Sequence, residues 1–307
     1  MKILFINHKK SQCGVYEIGN RIFSLIQQNI LPTVYEEVET LEEYHKVIDN
    51  HNPNVIIYNY YSVTLPFLNS TVTHSFPNIK HIAIIHDQLG NIPVIENIFD
   101  AWIIHSDTNN IVSNKKFISI RPILRFNRLK EVNPNEIIIG TNGFCTSSWK
   151  MYDTIAEYVN TSFDHAILNI NLGIATFGGS VEQAKNIADM CRSKIKKSNI
   201  LVNITHNYFS TETELIEWLS KNTLNIYLYR DHPGVGGCTD LAISSQSSLC
   251  VNNSNMLRHI ANHLGSCSSA KEVSHFINNY NEVKKLYDQW TPERMTNDYK
   301  KMIETIC

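Results

Sequence analysis

The stretch RDHPGVGGCTD (230–240) sets Gly234, Gly236 and Gly237 between an apolar run ending at Arg230 and a helical pattern that starts near Thr239. Glycines leave the backbone bare, and the first amides of a helix have no internal acceptors, so a glycine turn that runs into a helix can grip an anion. The chemistry indicated is the holding of a phosphate by the bare backbone at Gly234, Gly236 and Gly237 and the first amides of the helix. The spacing matches neither the Walker A pattern nor GxGxxG with its following acidic residue, and glycines that serve only the turn are the plainer alternative.

Three further stretches follow apolar runs in the same way. GTNGFCTSSWK (140–150) again reads as strand, glycine turn and helix start, with Asn142 and Gly143 in the turn and Lys150 expected in the first helical turn, where its charge would meet the same anion. Its alternative is a solvated surface lysine. ITHNYFSTETE (204–214) carries His206, Asn207 and Tyr208, which could edge or stack on a nucleobase or simply pack. HKKSQCGVYEIGNR opens after the first run with a single Gly14, and IIHDQ places His86 and Asp87 at a strand tip, where they could orient a hydroxyl or take its proton.

The elements that would position these residues alternate along the chain. Runs at 2–7, 54–60, 81–87, 101–106 and 116–122 form one series, with a helix over 15–29; runs at 136–143, 165–173, 199–206, 225–230 and 248–253 form a second. Helices are expected at about 149–160, 181–193, 211–221 and 239–246, the third capped by Ser210 or Thr211, and the chain after 255 reads as helical. Runs apolar on both sides of the pleat point to parallel strands covered by helices on both faces. The segment 121–136, with its prolines and charges, reads as the linker. Two Rossmann-like domains result, 1–128 and 129–288, followed by a C-terminal helix 289–307.

The totals exclude several classes. Among 307 residues, 27 Lys and Arg stand against 29 Asp and Glu, a formal charge of −2, which is not the field of a dedicated duplex-DNA or anionic-membrane binder. The seven cysteines (13, 145, 191, 238, 250, 267, 307) form no CxxC pair and read as reduced thiols. No apolar run reaches the roughly 18–20 residues that span a bilayer, so a cytoplasmic protein without integral membrane contact is expected. His259 and His263 have metal-ligand spacing but lack a third ligand, so a structural role is expected and no metal. A basic cluster, Arg121, Arg125, Arg128 and Lys130, reads either as a linker or as a surface that touches phosphates.

Taken in order, the motifs resemble the GT-B glycosyltransferases and are most similar to the family 4 type (glycosyl transferases group 1). The resemblance runs through CGVYEIGNR, IIHD, WIIHS, IGTNGF…WK, THNYFSTETELIEWLSKNTLNIYLY, CTDLAISSQSSLCVNNSNMLRH and QWTPERMTNDYKKMI. Where that family carries an E-x7-E element, this chain offers Asp231 and Asp240.

The resemblance implies an α/β GT-B fold, two Rossmann-like domains facing a central cleft with the C-terminal helix 289–307 crossing back to the first, and a metal-independent transfer of sugar from a nucleotide diphosphate sugar to an acceptor hydroxyl. The donor is the co-substrate and no cofactor is implied. Donor-binding residues would be Gly14, Asn142, Gly143, Lys150, His206, Asn207, Tyr208, Arg230, Gly236, Gly237, Cys238, Thr239 and Asp240, the last toward ribose or sugar. His86, Asp87 and Lys150 would be the catalytic set, with the acceptor near Gly14, His86 and Asp87. Retention would let the leaving phosphate assist the hydroxyl, whereas inversion would need His86 or Asp87 as base. The acceptor is a glycan, a lipid-linked sugar, a protein side chain or a modified DNA base. Readings of a different class are a non-catalytic nucleotide- or sugar-binding protein of the same fold and a two-lobed binding protein.

Overall fold

A computed structural model describes residues 1–28, 33–86, 92–105, 111–127, 136–145, 149–175, 179–232 and 236–307. Asp87, Gly234, Arg128 and Lys130 lie outside these. The described chain divides into two compact units, one built mainly from Met1–Pro122 with Trp290–Cys307, the other from Ile123–His232 with Gly236–Gln289.

In the first unit the order is β1 (Ile3–His8), α1 (Gly14–Gln27), β2 (Thr33–Val38), α2 (Leu41–His51), β3 (Val55–Tyr60), α3 (Ser70–His74), β4 (Lys80–Ile85), α4 (Ile92–Ile98), β5 (Ala101–Ile104) and β6 (Lys116–Ile118). All pair in parallel, in the order β2-β1-β3-β4-β5-β6. Every residue of β1, β3 and β5 is buried, because Ile and Val fill both pleat faces and helices cover both. Helix α1 presents Ile18, Ile22, Leu25 and Ile26 at helical spacing as its buried stripe. The C-terminal helix (Pro292–Ile306) belongs to this unit: its Tyr299 hydroxyl meets His105 Nε2 at 2.8 Å, and its Asp298 accepts from Ser119 Oγ at 2.9 Å.

The second unit runs β7 (Ile138–Phe144), α5 (Tyr152–Ser162), β8 (Ala166–Gly173), α6 (Val181–Lys194), β9 (Ile200–Thr205), α7 (Glu212–Ser220), β10 (Leu224–Tyr227), α8 (Cys238–Ser244), β11 (Ser248–Val251), α9 (Arg258–Leu264), a 3-10 turn (Ala270–Phe276) and α10 (Tyr280–Gln289); the C-terminal helix is α11. Its five strands are parallel, in the order β11-β10-β7-β8-β9. Ile139, Leu168, Ile170, Ile226 and Cys250 form its core with Ile155 and Val159 of α5.

Several elements depart from the sequence reading. Strand β2 and helix α2 were not foreseen, since TVYEEV is a half-exposed edge strand whose glutamates hide the period. The helical stretch after 268 breaks into a 3-10 turn and α10 around Asn279, whose side chain accepts from Leu249 N at 3.0 Å and donates to Leu249 O at 2.9 Å along β11. The proposed linker begins inside a packed segment: Arg121 and Ile123 are buried. Arg125 lies 4.5 Å over the Tyr287 ring and donates to Tyr287 O at 2.9 Å, so its guanidinium is already engaged rather than held out for phosphate. No helix among the described residues is long and apolar enough to cross a membrane.

Candidate functional site

In the second unit the strand order reverses between β7 and β10, so the connections leaving their carboxyl ends diverge and open a crevice. Lys150 stands there. It lies outside α5, contrary to the expected first-turn position, and pairs instead in an isolated antiparallel bridge with Tyr229. The bridge, together with Met151 N donating to Leu228 O at 2.9 Å, stitches the end of β7's connection to the end of β10.

The Lys150 side chain folds back over β7. Its Nζ donates to Phe144 O at 3.0 Å and lies 5.8 Å from the Phe144 ring. Burial pushes its pKa down, against the opposing influence of the nearby Cys238 and Cys145 thiols. Gly143 makes this possible. Its φ is +152°, and a Cβ there would come within 2.5 Å of Lys150 Nζ and 2.8 Å of Tyr152 Oη. Gly143 is therefore the penultimate residue of β7, paired with Leu172, and not a turn. Over its bare face converge the Lys150 amine and the Tyr152 hydroxyl, a buried donor with no hydrogen-bond partner among the described residues. Beneath them the buried Asn142 accepts from the Tyr227 hydroxyl.

The glycine stretch is used differently from its sequence reading. Gly236 N donates to Met256 O at 3.2 Å, and a Cβ at Gly236 would reach 2.7 Å from the Tyr229 ring, so this glycine serves close packing and its amide is engaged within the protein. Thr239 N and Oγ1 both turn to Gly236 O, at 3.4 Å and 2.6 Å. Asp240 is fully buried in α8, which withdraws it from a ribose. Gly237 caps α8 and Cys238 begins it, the thiol lying beside the Tyr229 hydroxyl. Arg230 is exposed, and its amide donates to Trp149 O at 2.8 Å.

The turn after β9 is clamped by Asn171, whose Oδ1 accepts from Asn207 N at 3.1 Å and whose Nδ2 donates to Asn207 O at 3.0 Å. That clamp holds Tyr208, 41% exposed, stacked on Phe144 with ring centroids 6.4 Å apart. Phe144 thus joins the Lys150 ammonium to an exposed aromatic shelf. His206 is exposed on the same turn.

In the first unit the order reverses between β1 and β3. Here Asn7, Asn59 and His86, at or just past the ends of β1, β3 and β4, are joined: His86 Nε2 lies 2.5 Å from Asn59 Oδ1, and Asn59 Nδ2 donates to Asn7 Oδ1 at 2.7 Å. Burial first, and then the electrostatic influence of His105, Arg121 and His8, pulls the His86 pKa to about 3, so the ring is neutral at pH 7. Around Gly14 an added Cβ would meet nothing within 4 Å, so packing does not demand glycine there.

The structure gathers Asn142, Gly143, Lys150 and Cys238 at one crevice, with Tyr208 reached through Phe144, and places Gly14 and His86 in the other unit. Tyr152, Tyr229, Asn7 and Asn59 went unnoticed in the sequence. The available signal was a polar residue closing an otherwise apolar strand, as in FINH and YNYY. No group of three or more His, Cys, Asp or Glu able to hold a metal occurs among the described residues; of the helical histidines, His259 is buried and His263 exposed.

Two parallel α/β sheets in these strand orders, each with a crevice at its reversal point, define a GT-B fold. Among solved structures, Anabaena HepE in complex with UDP and glucose matches with a TM-score of 0.72 at 12% identity, over 99% of this chain and 100% of that one. A glycosyltransferase from Rickettsia africae matches with a TM-score of 0.69 at 10% identity, over 99% and 98% of the two chains. An alpha-glucosyltransferase in complex with UDP-glucose and DNA containing an abasic site matches with a TM-score of 0.58 at 13% identity, over 100% and 99%. No protein-family model and no curated protein sequence matches the chain.

Proposed function

We propose that the protein is a glycosyltransferase of the family 4 type that takes its sugar from a UDP-sugar. The observation that carries this reading is the convergence of the Lys150 ammonium and the Tyr152 hydroxyl, which has no partner among the described residues, over Gly143 at the reversal point of the second unit. A buried positive charge beside an unsatisfied donor is costly unless an anion completes it. A diphosphate does so: its oxygens accept from both groups, and the same contacts strengthen as the departing diphosphate gathers charge. This ammonium supplies the positive field that a divalent cation supplies elsewhere, and the proposed reaction uses no cofactor beyond the donor.

The nucleobase is assigned to the Tyr208–Phe144 shelf, where stacking needs only an exposed aromatic face. HepE is bound to UDP and glucose and the alpha-glucosyltransferase to UDP-glucose, which supports uridine as the base. The acceptor hydroxyl is assigned to the first unit, beside the neutral His86. With a formal charge of −2 and Arg125 turned into its own unit, the molecule favours a small or glycan acceptor over duplex DNA.

The test is isothermal titration and thermal unfolding with UDP, GDP, ADP, CDP and TDP. UDP at about 100 times its dissociation constant should add roughly 2.7 kcal/mol of stability, and Lys150→Met should cut that gain to about 0.4–1.4 kcal/mol at the same concentration. If no nucleoside diphosphate stabilises the wild type, the reading fails.

A further inference from the structure

His86 is neutral at pH 7 and so carries one ring proton, and the structure determines which nitrogen holds it. Three main-chain groups pin the amides that lead to it. Asn59 Nδ2 lies 2.8 Å from Val15 O, a carbonyl that can only accept, so this corner of the side chain is the NH2 and the other is the oxygen. Asn7 is pinned twice: His8 N donates to its Oδ1 at 2.9 Å, while its Nδ2 lies 3.2 Å from Tyr16 O. Asn7 therefore offers its oxygen to Asn59, in agreement with the 2.7 Å donation from Asn59 Nδ2. Neither amide can be flipped without setting like against like. Asn59 consequently turns Oδ1 toward His86 Nε2 at 2.5 Å, and an oxygen with only lone pairs requires a donor there.

The fold builds this arrangement deliberately. Ile6 pairs with Tyr58 across β1 and β3, which sets Asn7 beside Asn59 at the next step, and Tyr60 pairs with Ile85, the residue before His86. Helix α1 brings the Val15 and Tyr16 carbonyls down onto the pair because Gly19 has no Cβ; one added there would run into Asn59 Nδ2 and come within 2.8 Å of Asn7 Nδ2. Farther out, Asn7 Nδ2 also donates to Tyr35 Oη at 3.1 Å, and the one Tyr35 proton is shared between Asn20 Oδ1 at 2.5 Å and Glu37 Oε1 at 2.9 Å. The chain of hydrogen bonds thus starts at a carboxylate and ends at an imidazole.

We infer that Asn59 is a positioning residue: it holds His86 as the Nε2–H tautomer, so that Nδ1 presents a lone pair to a hydroxyl of the ligand bound by the first unit. The hydroxyl part rests on the proposed glycosyl transfer; the tautomer does not. A base or hydrogen-bond acceptor must expose a lone pair toward the hydroxyl, and a ring free to choose its tautomer would present N–H part of the time.

The experiment is nitrogen NMR of 15N-histidine-labelled protein without substrate, with Asn59→Ala alongside and His86→Gln to assign the signal. The expected wild-type result is a protonated Nε2 and a bare Nδ1, and the wild type suffices for this even where the variant folds poorly. Asn59→Ala should yield a mixed tautomer and lower kcat in proportion to the Nε2–H share that is lost, about twofold for an even mixture, with the UDP dissociation constant unchanged. An Nδ1–H tautomer in the wild type overturns the inference, and so does an Nε2–H tautomer that survives Asn59→Ala. If the wild type transfers no sugar to any hydroxyl while the tautomer stands, the functional reading and the hydroxyl part fall together, an outcome distinct from a wrong tautomer.

Discussion

At the scale of single residues, Lys150 and Tyr152 make separable predictions. Lys150→Met removes a desolvated ammonium, so the fold should keep its stability, as apolar replacements of buried charges commonly do. UDP binding should nevertheless weaken by about 1.5–3 kcal/mol, roughly 10–100-fold in Kd. The diphosphate binds the ammonium form, so binding raises a pKa that burial has lowered; wild-type affinity is highest below that pKa and falls as pH rises through it. Titrations should show this fall in the wild type at a pH below the ordinary lysine value, and none in Lys150→Met. Tyr152→Phe deletes a buried hydroxyl with no partner among the described residues, so denaturant unfolding should show a protein at least as stable as the wild type, with UDP bound about 0.5–1.5 kcal/mol less tightly. A variant that binds UDP normally would remove Tyr152 from the site.

At the scale of elements, the positioning of His86 depends on how closely α1 lies on its sheet. An exchange of Gly for Ala inside a helix ordinarily adds up to about 1 kcal/mol of helix stability. Gly19→Ala should do the reverse, because its Cβ meets the Asn59 and Asn7 amides. Unfolding measurements should show a loss of stability, and activity should fall with it. Helix α7 supplies a measure of local capping: Thr211 Oγ1 accepts from Glu214 N at 3.2 Å, and Thr211→Ala should cost about 1 kcal/mol in unfolding measurements.

At the scale of the molecule, the first unit is built on buried neutral histidines. Burial lowers the pKa of His105 to about 3 and that of His8 to about 4, whereas both titrate near 6.5 when unfolded. Above pH 6.5 neither state binds these protons. As pH falls from 6.5 toward 4, the unfolded chain takes them up and the folded chain does not, so stability drops, by about 1.4 kcal/mol per pH unit for each histidine that is fully charged only in the unfolded state. The fluorescence of Trp102, buried in β5, reports on this unit. Its urea midpoint should fall steadily across that window, and a flat profile would mean that the histidines are charged in the native state. Tyr299→Phe removes the α11 hydroxyl from His105 and should cost about 1 kcal/mol without altering UDP affinity.

The sequence by itself determined the elements whose chemistry is local. Apolar β-branched runs form buried strands wherever they lie, and Thr211 with Glu214 reads as a cap from spacing alone. The alternation of strand and helix was enough to require two parallel sheets, and the residues that close those strands were visible as candidates. Only the tertiary structure decided what the candidates do. Strand order brings Lys150 against Tyr229, 79 positions along the chain, and makes Gly143 the bare floor under an ammonium and a hydroxyl. It likewise commits Gly236 to packing and buries Asp240, although a phosphate loop and a ribose ligand were the sequence-level expectations. The Asn7–Asn59–His86 line joins three strands that are separate in sequence, and the identity of the protonated nitrogen follows from a carbonyl contributed by a helix. Such properties belong to contacts between distant segments, and local propensity carries no term for them.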